Sequence, residues 1–227
     1  MNIKKHLKIL PGYAYVPLLF GVLFNFIGYF GIQKIMEDLP QHSLAISLDY
    51  KIPFVPEFVY IYIGAYAQWI IGFIMCGRES KEFCYRYMSG EFWAKLISFI
   101  IFIILPTTIV RPEVTEGGVT GFLMNFVYNS DAPINLFPSI HCLESWFCFR
   151  AAMSQKRCNG IYRVIMGISS ILVFMSVVLV KQHVFVDIIG GILILEIGLL
   201  ISNRLNLSRF YEMIHKIICK IIRVKND

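Results

Sequence analysis

Charged residues are scarce in this chain of 227 residues, at 16% of the sequence. A soluble domain of ordinary composition carries about a quarter charged residues. Hydrophobic residues make up 57% of the chain, and the mean hydropathy is +0.64. Because the apolar residues fall in long runs, this composition excludes an ordinary soluble domain and predicts a membrane protein with several spans.

Cysteine pairs at metal-binding spacing are also missing. Six cysteines are present, but none forms a CxxC or another metal-ligand pattern. Most lie in apolar runs or basic loops, where cysteine behaves as a small hydrophobic residue. We therefore expect free thiols, no metal and no other cofactor. The basic start MNIKKHLKIL precedes an apolar run that is too long for a signal peptide, so we expect no cleavable leader.

Six apolar stretches approach the roughly 20 residues that a helix needs to cross a bilayer. They are about Tyr13–Phe30, Phe58–Cys76, Phe92–Val110, Leu136–Ala152, Ile161–Val180 and Val184–Ile201. The fourth is the least apolar because it contains His141 and Glu144, and such groups are costly in a membrane unless they serve a cavity or a partner. The sequence predicts an all-α, polytopic membrane protein with six transmembrane helices.

Lysine and arginine are distributed unevenly between the two ends of these spans. Seventeen of the 21 fall at the N-terminus, in the second and fourth connections, or in the C-terminal tail. The opposite side holds only Lys34, Lys51, Arg111 and Lys181. By the positive-inside rule, both termini are cytoplasmic and the first, third and fifth connections face outward. This topology accounts for the net charge of +6 without nucleic acid as a partner.

The C-terminal tail has a pattern of its own. Apolar residues from Phe210 to Ile222 recur at helical spacing on one face, and basic residues from Arg209 to Arg223 lie on the other. We divide the chain into a six-helix membrane domain, residues 1–203, and a cytoplasmic amphipathic basic tail, residues 204–227. The tail is predicted to lie on the inner membrane surface; the alternative is a solubilising continuation of the sixth helix.

Polar residues gather at three places along this apolar chain. Arg111 follows the third span, Pro138, Ser139 and His141 open the fourth, and Lys181, His183 and Asp187 lie between the fifth and sixth. The topology was assigned from loop charge alone, yet it places all three groups at the outer membrane boundary. We therefore predict that they form one site.

The segment HVFVD places His183 and Asp187 at positions i and i+4, on one face of a helix start. A carboxylate there can accept a hydrogen bond from one imidazole nitrogen, which makes the other nitrogen a better nucleophile or base. The alternative is a structural polar pair. Ionisable groups at a membrane helix end are rare and usually functional, which favours the catalytic interpretation.

The segment FPSIH supplies groups that complement this pair. A helix that begins at Pro138 offers free N–H groups to an anion, and the Ser139 hydroxyl can add another hydrogen bond. His141 can donate a proton to a leaving oxygen. The alternative is that Ser139 only caps the helix while His141 lies at the interface. Arg111 and Lys181 would add positive charge that suits a phosphate group.

Together these residues predict phosphoryl transfer through a phosphohistidine. His183 would attack phosphorus, Asp187 would orient it, and His141 would protonate the departing alkoxide and then activate the acceptor. The equatorial phosphate oxygens would be held by Arg111, Lys181 and Ser139. Two further candidates are Ser176, which can also bond its own helix, and Glu144, which lies one turn below His141 and can equally make a buried structural hydrogen bond.

The motifs resemble those of the type 2 phosphatidic acid phosphatase superfamily, which consists of integral-membrane lipid phosphatases and phosphotransferases. Its signatures are Lys-x6-Arg-Pro, Pro-Ser-Gly-His and Ser-Arg-x5-His-x3-Asp. They correspond here to Arg111-Pro112, to Pro138 through His141, and to Ser176 through His183 to Asp187. The resemblance covers the third to sixth spans. It implies a metal-independent six-helix enzyme with an outward-facing site.

This sequence departs from the signatures at three positions. Ile104 replaces the lysine of the first motif, Ile140 replaces the glycine of the second, and Val177 replaces the arginine of the third. We expect Lys181 to restore part of the lost positive charge. The KQH and IPFVP segments resemble a subset of the superfamily that is similar to inositol phosphorylceramide and sphingomyelin synthases.

Three functions remain open on these grounds. The first is a lipid phosphate phosphatase, and the second is a phosphotransferase that passes a phospho-headgroup to a lipid alcohol of the diacylglycerol or ceramide type. The third is a transporter without enzymatic activity, whose histidines bind the translocated ion. The expected partners are a lipid phosphate or phospholipid substrate and the surrounding membrane lipids. The expected location is a bacterial plasma membrane, with the site on the extracytoplasmic side.

Overall fold

The protein is described by a computed structural model that covers the backbone of residues 9–224 and the side chains of residues 9–221. Eight α-helices lie within that range. They are α1 (Tyr15–Met36), α2 (Val59–Glu79), α3 (Lys81–Ile104), α4 (Gly118–Ser130), α5 (Ile140–Ser154), α6 (Gly160–Leu179), α7 (Phe185–Ser202) and α8 (Ser208–Val224). Short 3-10 helices, Gly12–Ala14 and Pro56–Phe58, lead into α1 and α2. The prediction of an all-helical fold is confirmed for the described residues.

Five helical segments are long and apolar enough to cross a membrane, which makes the chain an integral membrane protein. They are Gly12–Met36, Pro56–Glu79, Lys81–Ile104, Gly160–Leu179 and Phe185–Ser202. The predicted fourth span is helical only from Ile140 to Ser154, which is 15 residues. At 1.5 Å per residue this helix is about 22 Å long, shorter than the roughly 30 Å apolar layer. Six spans and the orientation of the termini therefore stay predictions.

The boundaries predicted for the third span were wrong. Helix α3 begins at Lys81, not near Phe92, because the Ser80 hydroxyl caps it by accepting a hydrogen bond from the N–H of Phe83 at 3.1 Å. Its N-terminal half carries polar side chains that are buried by neighbouring helices, so this half does not look apolar in sequence. Lys95, which was counted among the loop charges, consequently lies inside α3 and is 3% exposed.

Helix α4 was not predicted. It forms in the connection between the third and fourth predicted spans and packs against α2 and the 3-10 helix before it. Gly118, at its first position, has a φ of 66°, in the left-handed region where glycine is free of strain. Because α4 lies beside α2, it helps to cover the end of the bundle where the polar motifs gather.

The centre of the bundle is formed by α3, α5 and α7. Helices α3 and α7 pack so closely that a methyl group added at Gly198 would lie 2.8 Å from the backbone nitrogen of Ala94. Helix α5 is enclosed by α2, α6 and α7. The short α5 is thus held inside the protein, with its first turn against the first turn of α7.

The tail forms a separate helix, so it does not continue the last span. Helix α7 ends at Ser202 and α8 begins at Ser208. Tyr211 is fully buried against the bundle, and the Lys81 ammonium lies 2.7 Å from the Glu212 carboxylate. Large apolar residues remain exposed on α8, among them Met213, Ile217, Ile218 and Ile221. The division of the chain after residue 203 and the position of the tail on the inner membrane surface stay predictions.

Candidate active site

A tight turn between α6 and α7 presents the third motif. The N–H groups of Gln182 and His183 both donate to the carbonyl of Val177, at 2.9 and 3.0 Å. Lys181 has a φ of 54°, which is unusual for a lysine and reverses the chain direction. The turn therefore points consecutive side chains in different directions and places His183 just before α7.

His183 and Asp187 form the predicted pair. The Nδ1 atom of His183 lies 3.1 Å from Oδ2 of Asp187. The same oxygen accepts the N–H of Val184 at 3.0 Å, so the carboxylate also closes the first turn of α7. Asp187 is fully buried and His183 is 8% exposed. The carboxylate holds the imidazole ring through Nδ1, which leaves Nε2 as the nitrogen available for chemistry.

The two histidines converge, as the sequence predicts. The ring centroids of His141 and His183 are 6.3 Å apart. Their helices meet at the backbone, since the N–H of Ser139 donates to the carbonyl of Asp187 at 3.1 Å. A methyl group added at Gly191 would lie 2.6 Å from the carbonyl oxygen of Ser139, so glycine permits this approach. A phosphorus atom between the rings would be within reach of both.

Aromatic side chains of α2 hold the ring of His141. The ring stacks on Tyr62 with centroids 4.3 Å apart, and it also contacts Trp69 at 5.0 Å and Tyr66 at 6.0 Å. Its Nε2 atom is buried and has no hydrogen-bond partner in the described residues. A buried nitrogen of this kind is suited to exchange a proton with a substrate atom, because no protein group competes for it.

Arg111 reaches the site from the connection after α3. Its Nη1 donates to the carbonyl of Asp131 at 2.7 Å, and its Nη2 donates to Oε1 of Gln182 at 2.5 Å. The guanidinium also lies over the ring of Tyr128, 4.7 Å from the centroid. Its Nε is buried and has no protein partner. Burial lowers the pKa of Arg111, although an arginine remains charged in proteins.

Gln182 is a site residue that the sequence analysis missed. It is 1% exposed, precedes His183, and has its Oε1 bound by Arg111. This bond fixes the amide so that Nε2, which has no partner in the described residues, points away from the guanidinium. The KQH segment could have indicated this residue, because a glutamine that is buried beside a candidate nucleophile needs a hydrogen-bond partner.

Asp131 links α1 to the site and was also missed. Its Oδ1 accepts a hydrogen bond from the Tyr29 hydroxyl at 2.7 Å. Burial raises the pKa of Asp131, and the hydrogen bond from Tyr29 partly opposes this shift. Its own carbonyl holds Arg111. Asp131 therefore positions the arginine through its backbone and ties α1 to the same loop through its side chain.

The remaining predicted residues have partners of their own. The Lys181 ammonium donates to the carbonyls of Ile52 at 2.6 Å and Asp49 at 3.1 Å, and burial lowers the pKa of Lys181. The ammonium thus binds the connection between α1 and α2, and no bond joins it to the histidines. The Ser176 hydroxyl donates to its own helix at Val173, 2.8 Å away. Glu144 binds Lys95 at 2.7 Å, and the Ser139 hydroxyl caps α5 by accepting the N–H of Cys142 at 3.3 Å.

These features define a helical integral membrane protein in which two histidines, a carboxylate and an arginine meet where α5, α6 and α7 come together. A family model described as the PAP2 superfamily matches residues 43–201. The chain belongs to this superfamily, the type 2 phosphatidic acid phosphatases, whose members are generally phosphatases or phosphotransferases. A search of curated proteins and a search of solved structures found no match.

Proposed function

We propose that this protein is a metal-independent lipid phosphate phosphatase that acts through a phosphohistidine at the extracytoplasmic face of a bacterial plasma membrane. One observation carries the proposal. His183 is bound to Asp187 through Nδ1, and its ring lies 6.3 Å from that of His141, whose Nε2 has no partner in the described residues. This arrangement supports a mechanism in which His183 is the nucleophile and His141 is the proton donor for one phosphorus centre.

In the first step, the lone pair on Nε2 of His183 forms a bond to phosphorus. The bond from phosphorus to the lipid oxygen breaks, and His141 donates its proton to that oxygen. Asp187 accepts the Nδ1 hydrogen bond of His183 throughout and stabilises the charge that develops on the ring. The first step yields a lipid alcohol, a phosphorylated His183 and a neutral His141.

In the second step, His141 removes a proton from water as the water oxygen attacks phosphorus. The nitrogen–phosphorus bond breaks, its electrons return to His183, and inorganic phosphate leaves. Arg111 Nε and Gln182 Nε2 are two buried donors that have no partner in the described residues, and they can hold the phosphate oxygens in both steps. The Ser139 hydroxyl proton is free for the same purpose, since its oxygen serves as the helix cap.

Transfer to a lipid alcohol is the second candidate function, and the charge of the site favours it. Of the cations that the sequence assigned to the site, Arg111 reaches it and Lys181 does not. Ile104 and Val177 occupy the motif positions of two further cations. A phosphate monoester carries up to two negative charges near neutral pH, and a phosphodiester carries one. A site with one arginine and a neutral amide suits the phosphodiester of a phospholipid headgroup.

The test is incubation of the purified protein with a panel of headgroup-labelled phospholipids and lipid phosphates, with and without diacylglycerol or ceramide. Release of labelled inorganic phosphate as the sole product supports the phosphatase. Appearance of the label on the added alcohol supports the phosphotransferase. Unchanged activity in EDTA is expected for either, because both act through His183 and require no metal. If no substrate is turned over while an ion flux depends on His183, the transporter is correct.

A further inference from the structure

A second buried polar cluster lies on α3 and α5, one turn of α5 beyond His141. The Lys95 ammonium lies 2.7 Å from Oε1 of Glu144 and also pairs with the carboxylate of Glu91, one turn earlier on α3. Lys95 is 3% exposed, Glu91 is fully buried and Glu144 is 4% exposed. Ionisable residues within membrane helices are costly and usually functional, so this cluster requires an explanation beyond packing.

The cluster is incomplete in charge and in hydrogen bonds. Two carboxylates face one ammonium, which leaves one excess negative charge when both are ionised. The second oxygens, Oε2 of Glu144 and Oε2 of Glu91, have no hydrogen-bond partner in the described residues. An unpartnered carboxylate oxygen in an apolar interior is strongly unfavourable. A hydrogen-bond donor that carries positive charge would satisfy both deficits.

A cavity adjoins these oxygens. It has a volume of about 390 Å³ and lies between α1, α2, α3 and α5, with Glu91, Lys95 and Glu144 at its polar end. Its size falls within the range of roughly 300–1,000 Å³ that small-molecule sites occupy. Asn25 of α1, whose Oδ1 has no partner in the described residues, also lines it. The polar end therefore offers several acceptor atoms.

The rest of the cavity is apolar and faces the bilayer. Its outer walls include Val22 and Phe26 of α1 and Ile70 of α2, which are 52%, 58% and 61% exposed. Helix α1 packs chiefly on α3, and this leaves a gap toward α2. An amphiphile can enter from the lipid phase through this gap with its chain along the apolar walls.

We propose that this cavity binds a long-chain amine whose protonated amino group pairs with Glu144 and Glu91. Charge complementarity determines the occupant, because the apolar walls suit an alkyl chain and the excess carboxylate suits a cation. An anionic headgroup would meet like charge at the polar end. Trp69 and Tyr66 line this cavity on one side and contact His141 on the other, so the amine site and the phosphate site share one aromatic wall. Amine binding does not depend on phosphoryl transfer.

The experiment uses the full chain in neutral detergent or in nanodiscs of zwitterionic lipid. Brominated dodecylamine is titrated, and quenching of tryptophan fluorescence is recorded, since Trp69 lines the cavity. We expect saturable quenching that unlabelled dodecylamine reverses, while dodecanol and dodecanoate compete at least about tenfold more weakly because they lack the positive charge. Equal competition by all three would overturn the proposal, because the site would then be a nonspecific apolar gap.

Three variants test the location. Val22→Phe fills the cavity and should abolish saturable quenching, whereas Leu23→Phe, one residue away on the same exposed helix and outside the cavity lining, should not. Glu144→Gln should weaken dodecylamine at least about tenfold, since it removes one partner of a buried charge pair. If Glu144→Gln does not fold, the comparison of Val22→Phe with Leu23→Phe still tests whether the amine binds in this cavity. Identical binding by those two variants would refute the site.

Discussion

Substitution of Gln182 by leucine tests a neutral residue beside His183 that the sequence analysis did not assign to the site. The change keeps the approximate volume of the side chain but removes Nε2, the buried donor that has no partner in the described residues. It also removes the acceptor of the Arg111 Nη2 hydrogen bond. If Gln182 contacts the phosphate directly, the loss should appear in the reaction and not in the stability of the fold.

The expected magnitude follows from the kind of hydrogen bond that is lost. A hydrogen bond to a charged group contributes about 1.5–3 kcal/mol, and each 1.36 kcal/mol changes a rate by about tenfold. We therefore expect Gln182→Leu to lower kcat/KM by about 10- to 100-fold. Gln182→Glu should cost more, because a carboxylate would face the phosphate, and the extra loss should be larger for a phosphate monoester than for a phosphodiester.

The assay is steady-state hydrolysis or transfer with one lipid monoester and one phospholipid diester, in matched micelles. Gln68→Leu provides the control, because Gln68 is also buried and its amide bonds Ser170 of α6 at 3.0 Å and no residue of the candidate site. A decrease in kcat/KM of less than about threefold for Gln182→Leu would refute a direct phosphate contact, since it amounts to well under 1 kcal/mol. Equal losses for Gln182→Leu and Gln68→Leu would refute it as well, since they would indicate a general effect on the fold.

Three further predictions concern the histidines, the helix junction and the lysine. His183→Ala should abolish turnover and the acid-labile phosphoprotein seen on denaturing gels with labelled substrate, while His42→Ala, on the exposed surface, should retain both. Gly191→Ala should lower activity at least about tenfold, because its methyl group would push α7 away from α5 and misplace the histidines. The matched control is Gly64→Ala, whose added methyl group meets no atom within 4 Å. Lys181→Met should lower thermal stability, because the Lys181 ammonium binds loop carbonyls. It should lower kcat/KM for a phosphodiester by less than Gln182→Leu does. A larger loss would mean that Lys181 does contact the phosphate.

The sequence predicted best the two spans with the highest mean hydropathy. Helices α6 and α7 match the predicted spans to within a residue or so at each end. Helix α3 was misplaced because its N-terminal half is buried by protein, and hydropathy does not recognise such a helix when it carries charged residues. Helix α4 was missed because it has only 13 residues, too few for a span, and lies in the connection between the third and fourth predicted spans.

The site was predicted where spacing alone fixes the geometry. His183 and Asp187 lie four residues apart at a helix start, and that spacing brings them together in any α-helix. Lys181 was expected at the phosphate and Gln182 was given no role, because the directions of both side chains depend on one backbone angle. The left-handed conformation of Lys181 sends its side chain to the connection between α1 and α2 and leaves Gln182 beside Arg111. A positive φ at a lysine has no signature in composition or periodicity.

The short length of helix α5 bears on the depth at which a phosphate would bind. Because α5 is about 22 Å long and the apolar layer is roughly 30 Å thick, at least one of its ends lies within that layer. Near its C-terminal end, Arg150 is 34% exposed at its side chain and pairs with Glu196, which suits the membrane interface. The buried end would then be the one at Ser139, where the free N–H groups of the first turn would bind a phosphate drawn below the membrane surface. A phosphate attached to a lipid chain reaches that depth more readily than a soluble phosphate ester does, which favours a lipid substrate.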